Sequence, residues 1–515
     1  HRLPLRSSAR RPRCRSPRRL CIHGALGPRH LCLPRRLLRS SANTNPDKES
    51  FQRQKIAFLA DKWVKNPISE PVFLAGSTGS RGTTLLLIQA IAQLDQGGII
   101  LPGMDWDMQQ HLHSATARHA MQEDHPQYRF IKVAEAIGAD IADIRPWHAE
   151  TPLHPDRNRL ISLALRPAPV TDSWLREGPS LQNLDSATQD ITWVEAPSKR
   201  SEALSIALRL RKAAQDGVTA ALITPDRQLT RQVAAALDRW DIVPDDSAGV
   251  PLQLTPPGRF LRQVCALIHR TVTSSTLLAL LKHPLTHSGG ARNEHLRLTR
   301  DLELWLRRKG IPYPTADILT IWAAKQKDPM AEDWTAWIVE HSTGIVRSGD
   351  HSLADLLAHH LTIAQGLANG CKPDADALSG GLWKERAGIK TRDAIQRLQD
   401  AAPTAQKISA RDYGDIFGGV LSQDTLRDRD APYPGILIWG TLEARVQGAD
   451  LVILGGLNEG SWPEPPTPDP WLNRKMRADA GLLLPERRIG LSAHDFQIAI
   501  AAKEVWITRS IRSDD

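Results

Sequence analysis

A long helical stretch interrupts an alternation of strands and helices in this chain of 515 residues. Apolar runs at residues 191–197 and 219–224 are typical of buried strands, and an amphipathic helix is predicted between them. From residue 260 to about 410, Leu, Ile and Trp recur at helical spacing instead. Strand-like runs then return at residues 435–439, 451–455 and 505–508. This order predicts an α/β fold in which a helical domain is inserted into a parallel-sheet domain.

A second strand–helix–strand pattern precedes this region. A helix is predicted over residues 51–64, and the apolar run Val72–Ala75 follows it. A Gly-rich turn, an apolar helix and another apolar run at residues 98–102 come next. Together they have the sequence form of a βαβ unit in a parallel sheet. Residues 145–190 are rich in Pro, Asp and Asn, which indicates a connector.

Local signals refine the later α/β region. Ser198 and Asp226 each precede a helical segment, and both are predicted to be helix N-caps. The segment "IVPDDSAGVPL" at residues 242–252 is predicted to be a return strand with a turn.

The formal charge of +9 is concentrated in a short N-terminal tract. Residues 1–46 contain twelve Arg and no acidic residue; subtracting these from the 66 basic residues leaves 54 against 57 acidic ones. The total charge of the chain therefore does not predict that residues 47–515 bind nucleic acid. The tract itself is consistent with a basic nucleic-acid arm, a transit peptide or, the interpretation we favour, a segment that forms no fold. We expect the chain to be an internal fragment of a longer protein.

Cysteine usage favours a reducing compartment. Only Cys265 and Cys371 lie outside the N-terminal tract, far apart in the sequence and without neighbouring metal-ligand spacing. No run of about 18 apolar residues occurs, so a membrane span is not expected. We expect a cytoplasmic protein, with no metal or cofactor bound by this segment.

The Gly-rich turn at residues 75–84, "AGSTGSRGTT", is a candidate phosphate contact because it follows a strand and opens a helix. A nucleotide-binding phosphate loop needs a Gly-Lys pair, but Arg81 and Gly82 stand at those positions. A tight structural turn is the simplest interpretation. A contact with DNA phosphate is the alternative, and its candidate residues are Ser77, Thr78, Ser80 and Arg81.

The segment "VILGGLNEGSWP" at residues 452–463 is the most specific one in the chain. A buried strand ends in two glycines, and Asn458, Glu459 and Trp462 follow in a loop beyond its carboxyl end. Ligands usually bind at that edge of an α/β sheet. The loop is therefore a candidate DNA contact, with Trp462 stacking on an unpaired base. The alternative is a structural turn in which Trp462 packs as a lid.

Charged residues flank this segment on both sides. Glu443 and Arg445, just before the strand, are predicted to form a solvated ion pair. Arg487 and Arg488, near His494 and Asp495, are candidate phosphate contacts, although a surface pair is equally consistent. No pattern for a catalytic Ser, a nuclease metal or a nucleotide site emerges, so no catalytic residue is assigned.

Several long segments resemble one known family. "FLAGSTGSRGTT", "AALITPDRQLTRQVAAALDRWDIVPDDSAGVPLQLTPPGRFLR" and "IWGTLEARVQGADLVILGGLNEGSWPEPPTPDPWLNRKMR" are similar to the AddB family in its alphaproteobacterial form. The short segments "LLALLKHPL" and "LPERRIGLSAHDF" extend the resemblance, which covers roughly residues 51–515.

The resemblance implies a degenerate superfamily 1 helicase with RecA-type parallel sheets and an inserted helical domain. Six divisions follow: a basic tract at 1–46, the end of a first RecA-like domain at 47–150, a connector at 151–190, the first part of a second RecA-like domain at 191–259, a helical insertion at 260–430, and the remainder of the second RecA-like domain at 431–515.

The resemblance also implies a function. AddB subunits pair with an AddA-type ATPase and nuclease, and the heterodimer binds, unwinds and resects double-strand break ends for recombination. The family's iron–sulfur cluster and nuclease metal belong to a region beyond this segment, and ATP is used by the partner. We therefore expect a subunit that contacts double-stranded ends and single-stranded DNA without a complete enzyme site. An active superfamily 1 ATPase and a protein-binding scaffold are the alternatives.

Overall fold

The computed structural model describes residues 19–22, 31–34, 47–66, 68–77, 82–108, 123–147, 151–167, 170–372, 379–427, 433–445 and 447–512. These residues fall into two compact units. We call His1–Asp245 with Pro432–Asp515 the α/β unit, and Asp246–Ala431 the helical unit. The helical unit spans the stretch 260–430 that the sequence assigns to an insertion.

The helices and strands are numbered along the described chain. The helices are α1 (Lys48–Lys65), α2 (Gly82–Ala92), α3 (Tyr128–Ile137), α4 (Pro155–Ala164), α5 (Asp172–Glu177), α6 (Leu184–Thr188), α7 (Lys199–Asp216), α8 (Arg227–Leu237), α9 (Pro256–His269), α10 (Ser274–Leu281), α11 (Arg292–Lys309), α12 (Ala316–Ala323), α13 (Met330–Ser342), α14 (Leu353–Asn369), α15 (Glu385–Ala401), α16 (Ala410–Gln423), α17 (Arg474–Asp479) and α18 (Arg487–Ala499). The strands are β1 (Arg19–Ile22), β2 (Leu31–Pro34), β3 (Val72–Ala75), β4 (Gly97–Ile100), β5 (Ile191–Ala196), β6 (Ala220–Ile223), β7 (Asp245–Asp246), β8 (Val250–Pro251), β9 (Asp350–His351), β10 (Ile408–Ser409), β11 (Thr425–Leu426), β12 (Ile436–Trp439), β13 (Leu451–Leu454) and β14 (Glu504–Ser510).

A six-stranded sheet organises the α/β unit, in the order β5-β14-β13-β6-β12-β7. The five longer strands pair in parallel, which confirms the predicted mixed α/β fold with a parallel sheet. The central strands β6 and β13 have the sequences AALI and LVIL, and all of their residues are buried. Such uninterrupted apolar runs are typical of strands covered on both faces.

Alternate side chains of these strands point into two separate cores. Ala220 and Leu222 pack with Ile206 and Leu210 of α7 and with Val233 of α8. On the other face, a second cluster contains residues from β6, β12, β13 and β14 together with Ala499, Ile500 and Trp462. The sheet is therefore the middle layer of three.

Helices α7 and α8 begin where the sequence predicts. The Ser198 side chain accepts a hydrogen bond from the backbone N–H of Ser201. Asp226 accepts from the N–H groups of Gln228 and Leu229. Both predicted N-caps are confirmed, because a capping signal depends on residues only two or three positions away.

The predicted βαβ unit is present as β3, α2 and β4. The two strands pair in parallel in a sheet of their own, with Val72 opposite Gly97 and Ala75 opposite Ile100. In the N-terminal tract the structure describes β1 and β2, which pair antiparallel.

The return strand predicted for residues 242–252 is wrong in form. The segment contains two strands of two residues each, β7 and β8, instead of one. Gly249 lies between them with a φ of +65°, and β8 pairs antiparallel with β11 rather than joining the six-stranded sheet. A Cβ atom at Gly249 would lie 2.5 Å from the carbonyl oxygen of Leu426, so only glycine fits this turn.

The helical unit has one large apolar core formed by α9 to α16. Its fully buried members include Phe260, Trp322, Trp334, Tyr413 and Phe417. Apart from helices, the described part of this unit contains the two short antiparallel pairs β9–β10 and β8–β11.

Candidate functional site at the carboxyl edge of the sheet

The loop after β13 begins with two glycines that fit closely against the sheet. The N–H of Gly455 donates to the carbonyl oxygen of Ile223 at 3.0 Å, and that of Leu457 donates to Thr508 at 3.1 Å. A Cβ atom on Gly455 would lie 2.8 Å from Leu222 Cδ1. Gly456 has a φ of +74°, where glycine is unstrained. The loop therefore leaves the sheet along one defined path.

Glu202 of α7 fixes the start of this loop through hydrogen bonds to its buried side chain. Its Oε1 atom accepts hydrogen bonds from the N–H of Gly456 at 2.8 Å and from Thr508 Oγ1 at 2.7 Å. The residue is 1% exposed. Sequence reasoning missed Glu202, although one signal was available: the buried face of α7 also contains Ala203, Ile206 and Leu210. An acidic residue on an otherwise apolar helix face indicates a buried partner.

Asn458 connects the loop to the end of β14. Its Nδ2 atom donates to the carbonyl oxygen of Ser510 at 2.6 Å, and its Oδ1 accepts from the Ser510 N–H at 3.2 Å. The Asn458 carbonyl also accepts from the N–H groups of Ser461 and Trp462. The side chain is thus used in fixing the loop, while the neighbouring Glu459 is exposed.

Trp462 packs into the core beneath the loop. It is 7% exposed, its Nε1–H donates to the carbonyl oxygen of Ser492 at 3.3 Å, and its ring meets the edge of Phe496 at a centroid distance of 6.4 Å. A ring in this position offers no free face to a base. The sequence left open whether Trp462 stacks on a base or packs as a lid. The position of its ring in the structure agrees with packing as a lid.

The predicted ion pair between Glu443 and Arg445 is wrong in its partner. Arg445 instead donates to Asp495 of α18, from Nε to Oδ1 at 2.6 Å and from Nη2 to Oδ2 at 2.9 Å. Both side chains are buried, at 7% and 3% exposure. The partner is 50 residues away in the sequence, and local spacing therefore could not reveal it.

The surroundings of this pair perturb several pKa values. Burial raises the pKa of Asp495, but the hydrogen bond with His494 and the contact with Arg445 outweigh it, so the pKa lies below its ordinary value. Burial lowers the pKa of His494, whose Nε2 contacts the carbonyl oxygen of Pro102 at 3.1 Å. Burial, with the nearby Arg445 charge, lowers the pKa of Arg129 to about 9.

Arg129 is a second residue that sequence reasoning missed. It is 1% exposed, and its three guanidinium nitrogens have no hydrogen-bond partner among the described residues. Its guanidinium carbon lies 5.0 Å from the centroid of the Phe130 ring. The sequence of α3, "YRFIKVAEAI", gives no sign that this arginine points inward.

The remaining candidates are distributed over other elements. Ser77 follows β3 and is half-buried. Thr78, Ser80 and Arg81 lie outside the described residues. Arg487 is 9% exposed, with its guanidinium 6.0 Å from the Tyr128 ring, and Arg488 is paired with Glu464 at 3.1 Å on the surface. Arg487 therefore packs against Tyr128 and Arg488 forms a surface ion pair, while a phosphate contact by either arginine stays a prediction.

The loop at the carboxyl edge of the sheet is fixed by contacts with the rest of the α/β unit. Glu202, Asn458 and Trp462 fix it from within, and Glu459 extends from it into solvent. An exposed carboxylate can accept hydrogen bonds from amino groups, including those of unpaired bases.

Within the part of the chain that the structure describes, no three His, Cys, Asp or Glu side chains are grouped so that they could hold a metal ion. Each helix there is too short or too polar to cross a membrane.

Comparison of the sequence with models of protein families gives no match. Comparison with curated proteins gives no match either. The resemblance to the AddB family therefore depends on the segments quoted above.

Proposed function

We propose that this chain is part of an AddB-type subunit that binds DNA ends and supports an AddA-type ATPase during resection. The observation that carries the proposal is the position of the resembling segments. Residues 220–262 and 438–477 are far apart in sequence, yet their strands β6, β12 and β13 are neighbours in one parallel sheet. A shared structural centre supports the view that these segments belong to one functional module.

We also infer that the sheet is of the RecA type found in superfamily 1 helicases. A parallel sheet with helices on both faces, and a helical unit inserted between β6 and β12, supports this finer assignment. In such sheets ligands bind at the carboxyl edge. The loop after β13 lies at that edge, with Glu459 exposed to solvent.

The roles of the loop residues differ within this proposal. Glu459 contacts DNA directly, through base amino groups. Asn458 and Trp462 position the loop, because their polar groups already bond to Ser510 and Ser492. Ser77 and its neighbours Thr78, Ser80 and Arg81 remain candidates for a phosphate contact in the Gly-rich turn.

The proposal is tested by reconstitution with a purified AddA-type subunit. The full chain is expected to form a stable complex with that subunit and to increase its ATP hydrolysis on linear duplex DNA. Covalently closed circular duplex of the same sequence is the control, because it has no ends. DNA affinity should also fall steeply as salt rises, since phosphate contacts release counterions.

Three outcomes would contradict the proposal. Failure of the folded chain to bind the AddA-type subunit would remove the heterodimer. ATP hydrolysis by the chain alone would favour an active superfamily 1 ATPase. A complex in which this chain binds no DNA at any salt concentration would favour a scaffold.

A further inference from the structure

A groove with an arginine-rich lining lies between α9 and α16 of the helical unit. Its volume is about 480 Å³. The charged residues lining it are Arg259, Arg262, Arg270, Arg411 and Asp415. Four arginines therefore line the groove beside a single aspartate. Residues 47–515 as a whole have no excess of basic side chains.

Helical periodicity places these arginines together. Arg259 and Arg262 are three residues apart on α9, and Gln263, Ala266 and His269 continue the same face. Arg270 is the C-cap residue of α9. From α16, Arg411 and Asp415 line the opposite wall. The two helices are held together by the buried side chains of Cys265 and Phe417 at the base of the groove.

The four arginines are exposed, and none forms an ion pair with a carboxylate in the described part of the chain. Other arginines of the same unit do have carboxylate partners: Arg297 pairs with Asp328, Arg307 with Glu303, and Arg397 with Asp424. Like charges close together on a helix repel each other. The groove therefore has a local excess of positive charge that a bound anion would neutralise.

Gly414 lies where α9 and α16 approach each other closely beside the groove. It lies in α16 and lines the groove, and a Cβ atom there would lie 3.2 Å from His269 Cε1 and 3.9 Å from Cys265 Sγ. Glycine inside a helix costs about 1 kcal/mol relative to alanine. Its use at this position is explained by the close approach of α9.

We infer that this groove binds the sugar–phosphate backbone of nucleic acid. From Arg259 to Arg270 the helix rises by about 16 Å, far more than one phosphate group occupies. Each strand of duplex DNA presents a phosphate about every 3.4 Å along its axis, so a stripe of this length can contact several phosphates. The lining contains no Trp or Tyr side chain, and its Phe417 is buried. The four arginines therefore favour contacts to the backbone phosphates over stacking on bases.

This inference rests on the proposed function only in taking nucleic acid as the ligand. The test measures binding of the full chain to fluorescein-labelled single-stranded and blunt duplex DNA by anisotropy between about 50 and 200 mM salt. The variant is Arg262→Gln with Arg411→Gln. Its matched control is Arg297→Gln with Arg307→Gln, which removes two paired arginines from the same unit.

Removing two phosphate contacts should make the negative slope of log affinity against log salt less steep by about two. The control should retain the wild-type slope. The two arginines replaced in the groove variant and the two replaced in the control are all exposed. Both variants should therefore keep the wild-type circular dichroism spectrum.

If the groove variant binds DNA with the same affinity and salt dependence as the wild type, the inference is overturned and the proposed function still stands. Binding of sodium tripolyphosphate, measured by isothermal titration calorimetry, without binding of either DNA would reassign the groove to a free polyphosphate and overturn the nucleic-acid ligand. Absence of binding to all three probes would overturn the inference altogether, whereas the heterodimer would still be tested by reconstitution with the AddA-type subunit.

Discussion

Glu202 shows how one buried carboxylate fixes a loop at the edge of the sheet. Its Oε1 atom serves the Gly456 N–H and the Thr508 hydroxyl together. A buried carboxylate is costly to desolvate unless it is hydrogen-bonded, and these two donors provide that compensation. The residue therefore couples α7 to the ends of β13 and β14, the strands on either side of the candidate site.

Replacing Glu202 by Ala should destabilise the α/β unit by about 3 kcal/mol, because it leaves two buried donors without an acceptor. Glu202→Gln should cost less, since an amide oxygen can still accept. The measurement is urea unfolding of the full chain, followed by hydrogen exchange in peptides from β13 and β14.

Glu459→Ala is the matched control, because this glutamate lies in the same loop but is exposed. It should change stability by no more than about 0.5 kcal/mol. Equal stability of Glu202→Ala and Glu459→Ala would show that the hydrogen bonds of Glu202 do not hold the loop.

At the scale of the element, helical glycines in the helical unit divide into two kinds. A Cβ atom at Gly258 of α9 would overlap the carbonyl oxygen of Leu252. At Gly418 of α16 a Cβ atom would meet nothing within 4 Å. The first glycine is required by packing, whereas the second only weakens its helix.

The two substitutions should therefore have opposite signs. Gly418→Ala should stabilise the helical unit by about 0.5–1 kcal/mol through helix propensity. Gly258→Ala should destabilise it by about 3 kcal/mol, because backbone must move to admit the methyl group. Thermal and urea unfolding, with hydrogen exchange of peptides from α9 and α16, measure both. Destabilisation by Gly418→Ala would mean that its surroundings are more crowded than the structure indicates.

Elements were predictable from the sequence where their signals are local. The apolar strands, the βαβ unit and the caps at Ser198 and Asp226 each depend on a few neighbouring residues. The order of the sheet was not predictable, because β14 lies between β5 and β13 through pairing over long sequence separations. The same limit applies to the site: Arg445 and Asp495 are both visible in the sequence, but their pairing is not.

At the scale of the whole molecule, the helical unit contains several buried histidine side chains. His283, His295 and His360 are at most 5% exposed. Burial lowers the pKa of each of them to about 4. His360 contacts the carbonyl oxygen of Leu261 through Nε2 at 2.9 Å and the Tyr413 hydroxyl through Nδ1 at 2.7 Å. A carbonyl only accepts, so Nε2 holds the proton and Nδ1 accepts from Tyr413.

This arrangement predicts that acid destabilises the helical unit. In the unfolded chain a histidine has a pKa of about 6.5, so below that pH the unfolded state binds protons that the folded state excludes. The stabilisation is complete above about pH 6.5 and is lost as the pH falls toward 4. One histidine with this difference contributes on the order of 3 kcal/mol across the window.

Unfolding of the full chain in urea between pH 7.5 and 4.5, followed by hydrogen exchange of peptides from α9 and α14, measures this effect. His360→Gln should be less stable than wild type at pH 7.5 but should lose less stability on acidification, since it has one buried imidazole fewer. Leu357→Ala, also in α14 and 1% exposed, should lower stability equally at every pH because it removes only apolar packing. If His360→Gln and Leu357→Ala show the same dependence on pH, the acid sensitivity of the helical unit has another origin than His360.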